Sequence, residues 1–195
     1  SGSRSGRIRI RLDHLTVIAK WVSGTIVLGS SLRSVFAGLV PEEKIFVVPN
    51  GIPHDAVCGK RLEMIFERRR ERKGRPLRVV YLSNLIESKG YLDLLRALAK
   101  CKKEGMEMKV SFAGAWMDNS KQIAESVVTE ENLSEEVEFL GVVIGQSKWK
   151  LLAESDVFVL PTYYPYEGQP ISILEAMAFG LPIISTRTGC ISEVV

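Results

Sequence analysis

Beyond residue 76 the chain alternates short apolar runs with amphipathic stretches. Runs rich in β-branched and aromatic residues read as buried strands at Leu77–Leu82, Met108–Ala113, Val137–Leu140, Asp156–Leu160 and Pro182–Ser185. Between them, apolar residues recur at helical spacing over Tyr91–Lys103, Lys121–Thr129, Ser147–Ala153 and Pro170–Phe179. Strands and helices in strict alternation predict an α/β fold, a parallel sheet with helices on both faces. Pro161 closes the fourth of these strands. Pro170 is expected at the first helical position, where its missing N–H has no partner to lose.

The first 76 residues are less regular. Ile8, Leu12, Leu15, Ile18 and Trp21 fall at helical spacing. A short strand is predicted over Thr25–Leu28, then a helix capped by Ser30-Ser31 and running to about Gly38. Ile45–Val48 reads as another strand, closed by the turn Pro49-Asn50-Gly51. Lys60–Lys73 is dense in charge. Glu63, Glu67 and Glu71 interleave with Arg68-Arg69-Arg70, which predicts a solvated helix face. Gly74-Arg75-Pro76 marks a boundary after it. Ser1–Gly6 reads as a linker end or a cloning scar.

Composition narrows the function. The 195 residues are 46% hydrophobic and 25% charged, with a net charge of +3, as expected of a globular protein with a mild preference for anionic ligands. No basic stripe or module suggests a nucleic-acid partner. No apolar run reaches the roughly 18 residues of a membrane helix. Cys58, Cys101 and Cys190 are scattered and, with only His14 and His54 to join them, predict no zinc cluster. No Gly-x-Gly-x-x-Gly follows Leu77–Leu82, which argues against a dinucleotide-dependent dehydrogenase.

Candidate chemistry gathers at the ends of the strands. Glu167 and Glu175 have seven residues between them in Glu167-Gly168-Gln169-Pro170-Ile171-Ser172-Ile173-Leu174-Glu175. One acid falls in the loop after a strand. The other falls about 7.5 Å along the following helix, at ~1.5 Å per residue. Carboxylates accept pairs of hydrogen bonds from vicinal hydroxyls, and a helix N-terminus attracts anions. Lys89, in Ser83-Asn84-Leu85-Ile86-Glu87-Ser88-Lys89-Gly90, follows Leu82 and so lies on the same carboxyl edge, where a cation can clamp a phosphate. These positions are expected to be exposed, so that substituting Lys89 or Glu175 costs little stability. Tyr163, Tyr164 and Tyr166 crowd the loop before Glu167 and either shape a pocket or cover its rim. Taken alone, the acids read first as surface groups near a helix start, and the lysine equally as one.

The flanks change that balance. Glu175-Ala176-Met177-Ala178-Phe179-Gly180-Leu181-Pro182-Ile183-Ile184 and Gly189 through Glu193 resemble, almost position by position, the Glu-x7-Glu region of retaining nucleotide-sugar glycosyltransferases, family 4 of the GT-B fold type. The resemblance runs from about Ser23 to Val195. It implies a Rossmann-like donor-binding domain over residues 77–195, truncated at its C-terminus. Residues 53–76 would be a charged linker or helix, and residues 7–52 the tail of an N-terminal acceptor domain ending at Val47-Val48-Pro49-Asn50-Gly51-Ile52. It further implies Glu167 towards the donor sugar, Glu175 towards the ribose, and Gly168, Gln169 and Lys89 at the diphosphate, with Glu167 and Lys89 catalytic. The family usually carries an arginine where this chain has Asn84, so one diphosphate contact becomes a neutral one. Partners implied are a nucleoside diphosphate sugar and a glycan or lipid acceptor, with no cofactor or metal. The setting implied is cytoplasmic, peripheral to the membrane face. With only part of the acceptor domain, the chain is expected to bind donor and to transfer little. The competing reading is a non-catalytic interaction or subunit module on the same fold.

Overall fold

The computed structural model describes residues 21–53, 59–71, 74–117 and 119–195. The predicted helix over 8–22, His14, His54 and Cys58 therefore lie outside or almost outside the described residues. The chain divides into two compact units, Ser1–Asn50 and Gly51–Val195.

In the first unit β1 (Thr25–Val27) pairs in parallel with β2 (Ile45–Val47). The connection contains a 3-10 helix at Ser30–Phe36 in place of the α-helix expected from Ser30-Ser31. Its N-cap is Gly29, with no side-chain cap hydrogen bond. Without such a cap the amide donors of a first α-turn have no local acceptor, and tighter three-residue bonding is the alternative. Val27, Val40 and Ile45 form the small core of this unit.

The second unit is built on five parallel strands: β3 (Leu77–Leu82), β4 (Met108–Ala113), β5 (Val137–Gly141), β6 (Val157–Leu160) and β7 (Ile183–Ser185). Their spatial order is β5-β4-β3-β6-β7. Helices α1 (Gly59–Arg70), α2 (Tyr91–Lys103), α3 (Ser120–Glu130), α4 (Gly145–Glu154) and α5 (Ile171–Ala178) accompany them. Right-handed crossovers put α2 and α3 on one face and α4 and α5 on the other. The interior strand β6 is buried at every residue, as expected of a parallel strand covered on both sides. Tyr81, Phe112, Phe158, Leu95, Leu98 and Ile173 are among the fully buried side chains of the core.

Several boundaries differ from expectation by one or two residues, two of them for identifiable reasons. β6 begins at Val157, because the Asp156 carboxylate takes two bonds from Arg75 (3.1 and 3.2 Å) and one from the Arg78 amide (2.9 Å). Helix α5 begins at Ile171, with Pro170 as N-cap in an extended conformation (ψ 117°).

The charged run is not a solvated face throughout. Arg68 donates to the Ala153 carbonyl. Arg69 donates to the carbonyls of Ser155 (3.1 Å), Phe179 (3.1 Å) and Gly180 (2.8 Å). These carbonyls close the ends of α4 and α5, where helices leave acceptors without intrahelical donors. Burial works against the Arg69 charge and lowers its pKa, while Asp156 favours the charged form. α1 thus ties the far ends of the two helices that carry the site residues described below. Arg69→Met should destabilise the chain by about 2–3 kcal/mol, the scale of charge-assisted bonds lost from buried acceptors. Urea denaturation should show this as a lower midpoint at unchanged slope.

Candidate functional site at the carboxyl edge

In the strand order β5-β4-β3-β6-β7 the chain leaves β3 towards one edge and β6 towards the other. The carboxyl ends of these two neighbours therefore bound a crevice, the switch point at which open α/β sheets bind ligands. Their loops, residues 83–90 and 161–170, meet there. Gly90 makes the approach possible: it has φ +78°, and a Cβ on it would lie 2.2 Å from the Pro161 carbonyl oxygen. The Tyr163 amide donates to the Ser88 carbonyl (2.8 Å) and knits the loops together.

Across that junction Lys89 Nζ contacts both carboxylate oxygens of Glu167, at 2.8 and 2.7 Å. Thr162 Oγ1 donates to Glu167 Oε2 at 2.7 Å. The Tyr164 ring centroid lies 4.8 Å from Lys89 Nζ, a cation–π contact. Tyr163 and Tyr166 are exposed. Below the loop Tyr81 donates to the carbonyls of Asn84 (3.1 Å) and Lys89 (3.3 Å). Burial, helped by the Glu167 charge, pushes the Tyr81 hydroxyl far up, so it remains a donor over the physiological range.

From the other side, the segment after β7 supports the acid. Thr186 and Thr188 both donate to the Thr162 carbonyl. The Cys190 amide donates to the Gly168 carbonyl at 3.0 Å. Gly189 (φ +58°) passes so close that a Cβ there would sit 2.2 Å from the Glu167 carbonyl oxygen. The loop carrying Glu167 and Gly168 is thus clamped from two directions.

Glu175 lies in the second turn of α5, where the spacing puts it, and it too is paired. Lys148 Nζ, from the first turn of α4, lies 2.5 Å from Glu175 Oε1. Lys148 also sits 4.4 Å from the Trp149 ring centroid, and Trp149 stacks on Phe179 just past α5 (5.7 Å, 18°). The sequence reading missed Lys148, because nothing local links it to an acid 27 residues away.

The expectation of exposed site residues is corrected. Glu167, Gln169 and Glu175 retain only 8%, 6% and 6% of their accessible surface, and the Lys89 side chain 16%. Their partners and the neighbouring loops cover them. Asn84 is exposed on the same rim and Gly168 is half-buried. Lys89, Glu167, Gly168, Gln169 and the first turn of α5 form one group, with Glu175 further along that helix and its partner Lys148 on α4.

An open hollow of about 710 Å³ lies elsewhere, between α4 and strands β3–β5. Arg78, Lys109 and Lys150 alternate there with Glu135, Glu136, Glu138 and Glu154, so no single charge converges on a ligand. The chemistry converges at the switch point instead. Among the described residues, no group of three or more His, Cys, Asp or Glu side chains is arranged to hold a metal ion, and no helix is long and apolar enough to cross a membrane.

Residues 76–195 match the family described as Glycosyl transferases group 1. The chain belongs to that family, and its fold is the Rossmann-like sheet of GT-B glycosyltransferases. It is similar to the amylovoran biosynthesis glycosyltransferase AmsK of Erwinia amylovora, at 28% identity over 159 residues, covering 80% of this chain and 37% of AmsK. It is also similar to the GDP-mannose-dependent alpha-(1-6)-phosphatidylinositol monomannoside mannosyltransferase of Mycobacterium tuberculosis, at 27% identity over 176 residues, covering 86% of this chain and 45% of that protein. The crystal structure of Anabaena Alr3699/HepE in complex with UDP and glucose superposes with a TM-score of 0.75 at 21% identity, covering 93% of this chain and 50% of the other. The chain thus spans half or less of the length of each of these proteins.

Because the Lys89–Glu167 pair is nearly buried, removing one partner should cost more than a surface change. Lys89→Met should destabilise the fold by about 3 kcal/mol, since it strands a carboxylate. Lys89→Met combined with Glu167→Gln should recover part of that loss. Chemical denaturation of the two single variants and the double variant measures the coupling.

Proposed function

We propose that the chain is the nucleotide-sugar-binding part of a retaining glycosyltransferase. The observation that carries this reading is the convergence of Lys89, Glu167 and the N-terminus of α5 on the switch point of the sheet. A diphosphate placed there meets the N-terminal end of α5, the backbone at Gly168 and Gln169, and the Lys89 ammonium. Asn84 adds a neutral contact from the rim. The carboxylate of Glu167 faces the donor sugar, and that of Glu175 accepts from the ribose hydroxyls.

In the transfer step the bond from the anomeric carbon to the diphosphate oxygen breaks. An acceptor hydroxyl oxygen bonds to that carbon on the same face, and its proton passes to the leaving diphosphate. Lys89 and the helix N-terminus stabilise the charge that develops on the leaving group. Glu167 and Lys89 are the catalytic groups in this reading, and no metal cofactor takes part. The phosphatidylinositol monomannoside in one relative's name supports a lipid-linked acceptor; in this reading a glycan or lipid acceptor is met at the cytoplasmic membrane face by a peripheral protein. Names among the relatives also support a GDP- or UDP-linked donor. Acceptor alignment and water exclusion require a second wall, so these 195 residues alone bind donor and turn over little.

At millimolar concentration UDP or GDP should raise the melting temperature by about 2–4 °C, equivalent to roughly 1 kcal/mol of linked binding. A chelator should leave that rise unchanged. Lys89→Met and Glu175→Gln should each abolish the rise, whatever their own melting temperatures. No rise with either nucleotide, or a full rise in both variants, contradicts the assignment.

A further inference from the structure

We infer that Lys148 is a positioning residue for the nucleoside, fixing Glu175 so that one carboxylate oxygen is presented to the ribose hydroxyls. The inference rests on the donor-binding reading above and adds a residue that neither the glutamate spacing nor its flanks point to.

Glu175 is 6% exposed on a short helix, and a buried carboxylate needs partners to stay where it is. Lys148 supplies that partner through Oε1 alone. No described residue bonds Oε2, so it is the oxygen left to accept from a ligand. Lys148 is itself held. Its stem leaves the first turn of α4, its ammonium rests on the Trp149 ring, and Trp149 stacks against Phe179 at the C-terminal end of α5. The far ends of α4 and α5 are joined by Arg68 and Arg69 through the carbonyls of Ala153, Ser155, Phe179 and Gly180. α4 is therefore tied near both of its own ends to the C-terminal half of α5, and the position of Lys148 relative to Glu175 is set by the fold.

The geometry has a consequence for selectivity. A carboxylate held by one oxygen accepts from a ribose hydroxyl in a defined direction, whereas a freely rotating one accepts with less discrimination. Loss of Lys148 would also leave Glu175 to be solvated or to seek another donor. The Lys89–Glu167 pair sits at the diphosphate end and does not substitute for it.

The test compares UDP and GDP with their 2′-deoxy counterparts on the full 195-residue chain, by calorimetry. For whichever ribonucleotide binds, the parent chain should prefer it over the deoxy form by about tenfold, the loss of one charge-assisted hydrogen bond. Lys148→Met should shrink that preference to about twofold or less, mainly by weakening the ribonucleotide. Lys148→Arg, which keeps the charge and the stacked cation, should retain an intermediate preference and guards against a folding failure of the methionine variant. A role limited to stability would lower the melting temperature and leave the preference intact. Full preference in Lys148→Met, or no preference remaining in Lys148→Arg, overturns this inference alone. If neither nucleotide binds the parent chain, the donor-binding reading fails and this inference fails with it.

Discussion

Glu167 is a carboxylate with 8% of its surface exposed, and its burial constrains everything around it. Taking such a group out of water costs several kcal/mol unless a counter-charge and hydrogen bonds accompany it. Lys89 supplies both across a loop junction, and Thr162 supplies a third bond. Those partners come from two different strand-to-helix loops, so the pair exists only if β3 and β6 lie side by side. The strand order, the positive φ of Gly90 and the close passage of Gly189 serve this same condition. The ion pair and the switch point are one structural fact seen at two scales.

The same logic repeats along α5. Glu175 is nearly buried and is matched by Lys148 from α4. Each acid thus has its own lysine, and each lysine comes from a different loop or helix at the carboxyl edge. In the proposed function a donor would meet two acids already oriented by cations, rather than two mobile side chains. Preorganised charges of this kind need little rearrangement when a ligand arrives. The ionic pairs also bring a vulnerability, since a change to one member leaves the other buried without a partner.

Much of this was legible in the residues. β3, α2 and β4 occur at Leu77–Leu82, Tyr91–Lys103 and Met108–Ala113, where the periodicity put them. The carboxyl-edge placement of Lys89, Glu167 and Glu175 followed from strand–helix alternation alone. What the sequence did not convey is long-range pairing. Arg68 and Arg69 sit in a run whose neighbouring glutamates suggest solvation, yet their acceptors are carbonyls 85 to 111 positions away. Lys148 could not be singled out because its acid is 27 positions on. Exposure was misjudged for the same reason: a charged residue appears solvent-facing until its partner is known. The short boundary errors at Asp156 and Pro170 arose where a side chain or a cap took over from the repeating pattern.

The most direct measurement is a crystal structure of the 195-residue chain with a nucleoside diphosphate sugar, UDP- or GDP-linked. The diphosphate should lie between Lys89 and the first turn of α5, with the ribose hydroxyls within hydrogen-bond distance of Glu175. A ligand bound instead in the hollow beside Arg78, Lys109 and Lys150, or a bound ligand with neither Lys89 nor Glu175 in contact, would contradict the account.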